Sequence, residues 1–277
     1  MADQLPVPPR AQDDPPWVRR TLIGTAIAVM GFFVVVPLVN VFVQAFANGP
    51  GAYWRNLFGD ADTLHSIFLT LTVAPVAVGL NLVFGIAAAW AIARFRFFGR
   101  ALLTALIDLP FSVSPVISGL IFVLVFGAQG WFGPALAAHD IKVIFALPGI
   151  VLATAFVTFP MVAREVLTVM QAQGADQEEA AFMLGARGFQ VLYYVTLPKV
   201  RWGLLYGVIL CNARVMGEFG AVSVVSGHVR GVTNTMPLEV EILYNEYSFV
   251  GAFAVASLLT LLALVTLVFK KVVERLT

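Results

Sequence analysis

Two charged residues four positions apart, Arg214 and Glu218, interrupt an apolar stretch of the sequence. Residues at this spacing share one face of a helix, so the sequence predicts an ion pair between them. By helix rise, Arg214 lies about 18 Å beyond Trp202, close to the midplane of a bilayer if the stretch crosses one. A charge at that depth is costly and is a candidate functional residue by default. We favour a structural ion pair; the alternative is that Arg214 contacts an anion crossing the membrane.

Two further polar residues stand in apolar surroundings, Asn212 beside the predicted pair and Asp108 in a separate stretch. Asn212 is grouped with Arg214 and Glu218 as a polar residue that could line a pathway. By helix rise, Asp108 lies about 10 Å inside its stretch. Because a bare carboxylate repels anions, we predict that Asp108 has a structural, hydrogen-bonding role.

The motifs of several enzyme classes are missing from the sequence. There is no Gly-x-x-x-x-Gly-Lys-Ser/Thr phosphate loop, so we expect the chain not to bind ATP by itself. There is no His-Glu-x-x-His or Gly-x-Ser-x-Gly motif, which argues against a metalloprotease or a serine hydrolase.

The three histidines, His65, His139 and His228, are isolated, and we expect no metal site. The single cysteine, Cys211, excludes an intrachain disulfide and is predicted to be a buried, unreactive thiol. We therefore expect no catalytic residues.

The composition is that of a membrane protein. The chain has 277 residues, of which 60% are hydrophobic and 12% are charged, and its formal net charge is +1. Soluble domains carry about 25% charged residues. With half that fraction, this chain has too few charged side chains to cover a surface exposed to water. This excludes a soluble enzyme, a disordered chain and a nucleic-acid-binding protein.

The apolar residues are concentrated in six stretches, each long enough to cross a bilayer, which takes about 20 mainly apolar residues. They cover residues 22–46, 66–93, 101–126, 143–163, 202–225 and 247–269. The first is too long for the apolar region of a cleavable signal peptide. The sequence therefore predicts an all-α integral membrane protein with six transmembrane helices and both termini on the same side.

The basic residues predict which side that is. If both termini are cytoplasmic, 13 Lys and Arg residues lie on the cytoplasmic side and 3 on the outer side, with Arg214 the last of the 17. Cytoplasmic loops carry the excess of Lys and Arg, so both termini are predicted to be cytoplasmic. Residues 1–20 contain five prolines and no apolar periodicity, and are predicted to be a disordered cytoplasmic tail before a transmembrane domain of residues 21–277.

One cytoplasmic connection, residues 166–201, is longer than a turn and reads as two short helices. Asp176 is predicted to cap the first, with Glu179 as the returning half of a capping box, and Gly185 to end it in a left-handed turn. A second helix is predicted over residues 189–195, and Pro198 to begin a new helix. The resulting protrusion suits either a protein partner or the lipid headgroups. We favour the protein partner because anionic lipid repels the acidic first helix.

The same loop carries a recognisable pattern: Glu179-Ala180-Ala181, then Gly185 after three residues, then Val195-Thr-Leu197-Pro198. It resembles the Glu-Ala-Ala…Gly…Ile-x-Leu-Pro loop of the permease subunits of bacterial ABC importers, with Val195 in place of the usual Ile. The resemblance covers about residues 64–268. In that family the loop is a coupling helix seated in a groove of the ATP-binding subunit, which implies that role for Glu179, Ala180, Ala181, Gly185, Leu197 and Pro198.

A second resemblance narrows the family. The run from Asn212 through Arg214, Gly217, Glu218 and Phe219 to Ala221 is similar to the fifth span of sulfate and molybdate permeases. The sequence around Asp108 and the run Asn234-Thr-Met-Pro237 resemble the same group, the latter leaning toward sulfate. Over its length the chain resembles the W-type permease subunits of sulfate/thiosulfate importers, within the CysTW subfamily.

The resemblance implies a type I ABC importer fold and a set of partners. These are a T-type permease that completes a heterodimer, two ATP-binding subunits that use ATP and Mg, and a periplasmic sulfate- or thiosulfate-binding protein. The chain would then be a subunit of the bacterial inner membrane, contacting lipid and no nucleic acid, that is not an enzyme by itself and binds no cofactor. Two alternatives stay open: a permease for another tetrahedral oxyanion such as molybdate, and an independent anion channel or secondary transporter.

Overall fold

The computed structural model describes residues 15–276, and side chains as far as residue 272. Within those residues the chain is helical and has no β-strand. Its α-helices, in chain order, are α1 Pro16–Met30, α2 Val36–Ala45, α3 Pro50–Phe58, α4 Ala61–Arg94, α5 Arg100–Ser112, α6 Pro115–Phe126, α7 Gly133–Ala138, α8 Leu147–Ala172, α9 Asp176–Met183, α10 Gly188–Val191, α11 Leu197–Met216, α12 Gly220–Ser226, α13 Met236–Asn245 and α14 Phe249–Leu276. Two π-helical segments, Gly31–Val35 and Leu192–Thr196, join α1 to α2 and α10 to α11.

The helices account for the six predicted spans. Four are continuous and long and apolar enough to cross a membrane: Pro16–Ala45, Ala61–Arg94, Leu147–Ala172 and Phe249–Val272. They correspond to the predicted first, second, fourth and sixth spans. Two bent pairs of helices make up the third and fifth, so the described chain has up to six spans if each pair is counted as one. The all-α membrane architecture is confirmed.

The first span begins earlier than predicted. Residues 16–20, assigned from sequence to a disordered tail, are the first turn of α1. Pro16 suits the first position of the helix, because a backbone N–H at that position has no hydrogen-bond partner within the helix and its loss costs nothing. The remainder of the predicted tail, residues 1–14, lies outside the described residues.

The third span is not the single helix predicted over residues 101–126. It consists of α5 and α6, which are bent by 113° across Val113 and Ser114. Both residues have extended backbone, with ψ of 136°. The ring of Pro115 disfavours helical geometry at the residue before it, which is why the helix ends there and a new one starts.

The fifth span is also broken, although it was predicted to run unbroken over residues 202–225. The helix Gly188–Met216 and α12 are bent by 54° at Gly217–Phe219. The two breaks meet, because α12 packs on α6. A Cβ on Gly220 would lie 2.9 Å from Pro115 Cβ, and one on Gly119 would lie 2.7 Å from Ala221 O. Contact this close requires glycine on both helices.

The core is built around α8, which packs against α4 on one side and α11 on the other. Gly85 and Gly207 let these neighbours approach: Cβ atoms there would lie 3.2 Å from Ala163 N and 3.3 Å from Val162 Cα. In contrast, α1 has no buried residue. The first span therefore lies at the periphery of the bundle.

A small polar cluster joins the three core helices at the centre of the bundle. Asn81 Nδ2 of α4 donates to Thr158 Oγ1 of α8 at 2.8 Å, and it contacts Cys211 Sγ of α11 at 3.4 Å. All three residues are at most 2% exposed. The prediction that Cys211 is buried is confirmed. Polar side chains that bond across helices hold a membrane bundle in one arrangement, and these three tie α4, α8 and α11 together.

Candidate coupling site and intramembrane charges

The loop between α8 and α11 protrudes as the short helix α9 followed by a tight turn. Gly185 has a φ of +87°, the left-handed conformation predicted for it, which favours glycine because it lacks a Cβ. Its N–H donates to Phe182 O, and the next N–H, of Ala186, donates to Ala181 O. These bonds cap the carbonyl end of α9.

The outer surface of this protrusion is apolar. We call the following exposed side chains the apolar tip: Phe182, Met183, Leu184, Phe189, Tyr193 and Tyr194. Met183 and Leu184 are 89% and 90% exposed. Glu179 and Ala180 are exposed on the same helix, and Ala181 is partly exposed. A concentration of exposed apolar side chains in one connecting loop indicates an interaction surface.

Two local details differ from the sequence prediction. Asp176 is the first helical residue and not the cap, since Ala175 occupies the cap position and no side chain bonds there. The expected capping box with Glu179 is therefore absent. The predicted second helix, residues 189–195, is a single turn of α10 that passes through the π segment into α11. Pro198 lies in the first turn of α11, as predicted, although no break separates α11 from α10, because the helix Gly188–Met216 is continuous through the π segment.

The structure brings Glu179, Ala180, Ala181 and Gly185 together on α9 and its turn, and separates Leu197 and Pro198 from them. The latter two lie at the start of α11, beyond the π segment. Lys199 next to them clasps the beginning of the loop, because its Nζ donates to Gln173 O at 3.0 Å and Gln173 Nε2 donates back to Lys199 O at 3.1 Å. The two ends of the protrusion are therefore held to each other.

A buried ionic cluster lies beneath α9, and sequence reasoning missed it. Glu178 is 3% exposed. Its carboxylate forms an ion pair with Arg94, the last residue of α4, and accepts hydrogen bonds from Arg94 Nη2 at 3.1 Å and from Thr196 Oγ1 at 2.8 Å. Arg94 Nη2 also donates to Gly174 O at 2.8 Å. The only signal in the sequence was a glutamate directly before the recognised motif, and nothing there pointed to a partner 84 residues away.

The predicted intramembrane pair is present. Arg214 Nη1 lies 2.8 Å from Glu218 Oε2, in an ionic contact. The carboxylate is buried, with 1% of the side chain exposed, whereas 39% of the Arg214 side chain is exposed. Glu218 Oε1 also accepts from Ala221 N at 3.1 Å, which anchors it to the start of α12 at the bend. Among the described residues Asn212 takes no part in this pair, and the one hydrogen-bond partner of its amide is Met216 Sδ, at 4.0 Å.

Asp108 pairs with a residue that was assigned to the cytoplasmic side. Its Oδ1 accepts from Arg164 Nε of α8, and the guanidinium also lies 5.8 Å from the centre of the Phe111 ring. The fourth span was predicted over residues 143–163, which placed Arg164 just beyond its end. In the structure α8 continues to Ala172, about 12 Å further along its axis, so Arg164 lies within the helix. Both charged side chains remain partly exposed, 54% for Arg164 and 32% for Asp108. The predicted structural role of Asp108 agrees with this pairing.

Comparison with known proteins places this arrangement in a family. The family described as the binding-protein-dependent transport system inner membrane component matches residues 81–277. The chain belongs to this family. The matched range contains α9, the apolar tip and both intramembrane ion pairs.

Individual relatives with similar sequences are sulfate transport permeases. The sulfate transport system permease protein CysW of Escherichia coli strain K12 is 50% identical over 258 residues, 93% of this chain and 88% of the relative. The sulfate transport system permease protein CysT of the same strain is 35% identical over 88% of each chain. A solved bacterial alginate ABC transporter in complex with a pentasaccharide-bound periplasmic protein contains a chain with a TM-score of 0.77, 15% identity and 92% coverage of both chains. At that identity the similarity concerns the fold, which is that of an ABC transporter permease.

Proposed function

We propose that this chain is the W-type permease subunit of an ATP-driven importer that carries sulfate, and thiosulfate as a second substrate, into the cytoplasm. The observation that carries this proposal is the 50% identity to the CysW sulfate permease across 93% of the chain, compared with 35% to CysT. The relatives are permease proteins, and the chain is a transport subunit and not an enzyme by itself.

The apolar tip is the proposed docking surface for an ATP-binding subunit. Exposed apolar side chains on a helix that ends in the left-handed turn at Gly185 offer a convex surface for a groove in a partner. The sequence has no phosphate loop, so ATP and Mg would be bound by that partner. Glu179, Ala180 and Ala181 would contact it together with the tip, whereas Leu197 and Pro198 would carry the movement into α11.

A second permease of the T type is proposed to cover the face that exposes the intramembrane charges. Charged side chains inside a membrane do not face lipid at low cost. Arg164, Asp108 and Arg214 all remain partly exposed in this chain. They would therefore face the partner permease or an aqueous path between the two subunits. A periplasmic binding protein would deliver the anion at the opposite end from α9.

Both termini are proposed to be cytoplasmic, with α9 on the same side. One contact supports this arrangement: Lys270 Nζ, near the end of α14, lies 4.9 Å from the centre of the Tyr206 ring in the first half of α11. The last turns of α14 therefore lie beside the first half of α11, the half that is joined to α9. The excess of basic residues, 12 to 3 once Arg164 is counted inside α8, supports a cytoplasmic location for that end.

Radiolabelled sulfate uptake tests the proposed function. A strain that lacks its own sulfate permeases should recover uptake when this chain is expressed with its partner subunits. Unlabelled thiosulfate should compete, and molybdate should compete much less. Uptake that needs no ATP-binding subunit would favour an independent channel or secondary transporter, and uptake abolished by molybdate alone would reassign the substrate.

A further inference from the structure

Glu178 is a buried charge in a loop whose other acidic residues face solvent. Its neighbours Asp176 and Glu179 are exposed, whereas Glu178 is 3% exposed. Successive residues of a helix are rotated by about 100°, so the surface that carries Glu179 and the surface that carries Glu178 are different faces of α9. A buried carboxylate is tolerated because Arg94 and Thr196 surround it.

This one side chain provides the polar anchorage of α9. Within the described part of the chain, every side-chain hydrogen bond or ion pair of α9 is made by Glu178. The exposed side of the helix carries Met183, which is 89% exposed, whereas Phe182 is 50% exposed and lines a small pocket with Trp90 and Phe95. As far as polar contacts are concerned, a force applied to α9 reaches the bundle through the two ends of the loop and through Glu178.

The two partners of Glu178 belong to different spans. Arg94 is the last residue of α4, a helix of 34 residues that is tied to α8 and α11 through Asn81. Thr196 is the last residue of the π segment that leads into α11. π-Helical turns are short, less regular segments that are frequent at functional sites. The carboxylate of Glu178 is thus bonded at once to the cytoplasmic ends of two spans.

We propose that Glu178 is a positioning residue that transmits movement of α9 to α4 and α11 together, with Arg94 and Thr196 as its receivers. This inference rests on the proposed docking of an ATP-binding subunit at the apolar tip. Docking and transmission lie on separate faces of α9, so they are separable by mutation. Loss of the Glu178 contacts leaves the docking surface in place and lets α9 move without moving both spans.

The test uses the complete transporter, with its partner permease, ATP-binding subunits and binding protein, reconstituted in liposomes. The variants are Glu178→Gln, Arg94→Gln, the double variant, and the pair Thr196→Val and Thr196→Ser. Asp176→Asn is the matched control, since it removes an exposed charge from the same turn of α9. Three quantities are measured: ATP-binding subunits that co-purify, ATP hydrolysis, and radiolabelled sulfate imported per ATP hydrolysed.

We expect Glu178→Gln and Arg94→Gln to keep their ATP-binding subunits while sulfate imported per ATP falls by about tenfold, a factor typical of lost coupling between sites. The double variant should be no worse than either single variant, because both remove the same ion pair. Thr196→Val should show a smaller fall and Thr196→Ser should restore the ratio, since serine keeps the hydroxyl. A purely stabilising role would lower the amount of assembled complex and leave the ratio per complex unchanged.

The remaining outcomes separate this inference from the function on which it rests. An unchanged ratio in both Glu178→Gln and Thr196→Val would overturn the transmission role. Loss of the ATP-binding subunits in Glu178→Gln would also overturn it, because Glu178 would then belong to the docking surface. If Glu178→Gln does not assemble, the Thr196 pair decides, since removal of that hydroxyl leaves the ion pair intact. Normal docking in a Gly185→Trp variant would instead refute the proposed docking at α9, whatever the Glu178 variants do.

Discussion

Glu218, in the bend just beyond the end of α11, holds Arg214 of that helix, and the two side chains differ in their exposure. The carboxylate is buried and bonded to Ala221 N at the start of α12, whereas the guanidinium, 2.8 Å from it, is 39% exposed. Glu218 is therefore the residue fixed by the protein, and Arg214 is the residue whose side chain reaches the surface of the subunit. This asymmetry allows both interpretations of the pair, a structural bridge at the bend and a cation that faces a path.

Replacement of each residue distinguishes these interpretations. Arg214→Ala leaves a buried carboxylate without its cation, at a cost of about 3 kcal/mol, the lower end for buried pairs because Arg214 is partly exposed. If the pair is structural, the amount of assembled permease falls, and adding Glu218→Gln to the same chain partly restores it. The measurement is the yield of membrane-inserted permease dimer, with sulfate uptake normalised to that yield.

The opposite result would support the interpretation that Arg214 faces a path for the anion. Normal assembly of Arg214→Ala with much reduced uptake per molecule would show that the guanidinium acts on the anion. Arg214→Lys is the control for charge: it keeps a cation at the position but not the planar geometry of the guanidinium.

Gly185 tests the docking surface. Among the described residues nothing lies within 4 Å of a Cβ built at this position, so a side chain there begins in open space that a docked partner would fill. We expect Gly185→Trp to insert in the membrane and pair with the second permease, but to recover few ATP-binding subunits on purification and to import no sulfate.

The control for Gly185→Trp is Gly185→Asn. Both variants place a side chain at a φ of +87°, which costs about 1–2 kcal/mol and is best tolerated by asparagine. Gly185→Asn adds little bulk, so it should retain most of the transport. Equal loss in both variants would attribute the effect to backbone strain and not to obstruction of a partner.

Topology can be measured with fused reporters. A reporter that is active only in the cytoplasm should be active when fused after Thr277. It should be inactive when inserted in the loop that contains α7, between Gly127 and Lys142. Reversed activities at the two positions would invert the map and move α9 to the outer side.

Glu239 of α13 predicts a dependence of stability on pH. It is 1% exposed, and burial raises the pKa of its carboxyl, although the hydrogen bond from Asn234 and the charge of Arg230 oppose that rise. A group with a raised folded-state pKa stabilises the fold below its ordinary pKa of 4.5, and that contribution is lost as pH rises through the folded pKa.

Glu239→Gln should therefore gain apparent Tm over the parent chain as pH rises from about 4 to 8, because glutamine stays neutral and can still accept from Asn234. Thermal unfolding of the detergent-solubilised permease measures the difference. Asp140→Asn, an exposed change in the loop after α7, should show no such trend. A constant difference at all pH values would mean that Glu239 is not the titrating group.

Features that depend on neighbours in sequence were predictable from the sequence. The number of spans follows from apolar stretches of about 20 residues, and the Arg214–Glu218 pair was predicted from a spacing of four, although Glu218 lies in the bend just beyond α11 and not on the helix. The left-handed turn at Gly185 follows from the position of a glycine after a short helix. Each of these depends on residues within one continuous stretch of the sequence, so periodicity and spacing contain the necessary information.

Packing alone decided the bends and the long-range partners. The prolines and glycines near residues 115 and 217 indicate where spans can break, but the angles of 113° and 54° depend on how α6 and α12 fit together. Glu178 meets Arg94, and Asp108 meets Arg164, across 84 and 56 residues. A buried charge such as Glu178 needs a counter-ion, and for both pairs the partner is set by how the helices pack, a property of the whole bundle and not of any local stretch.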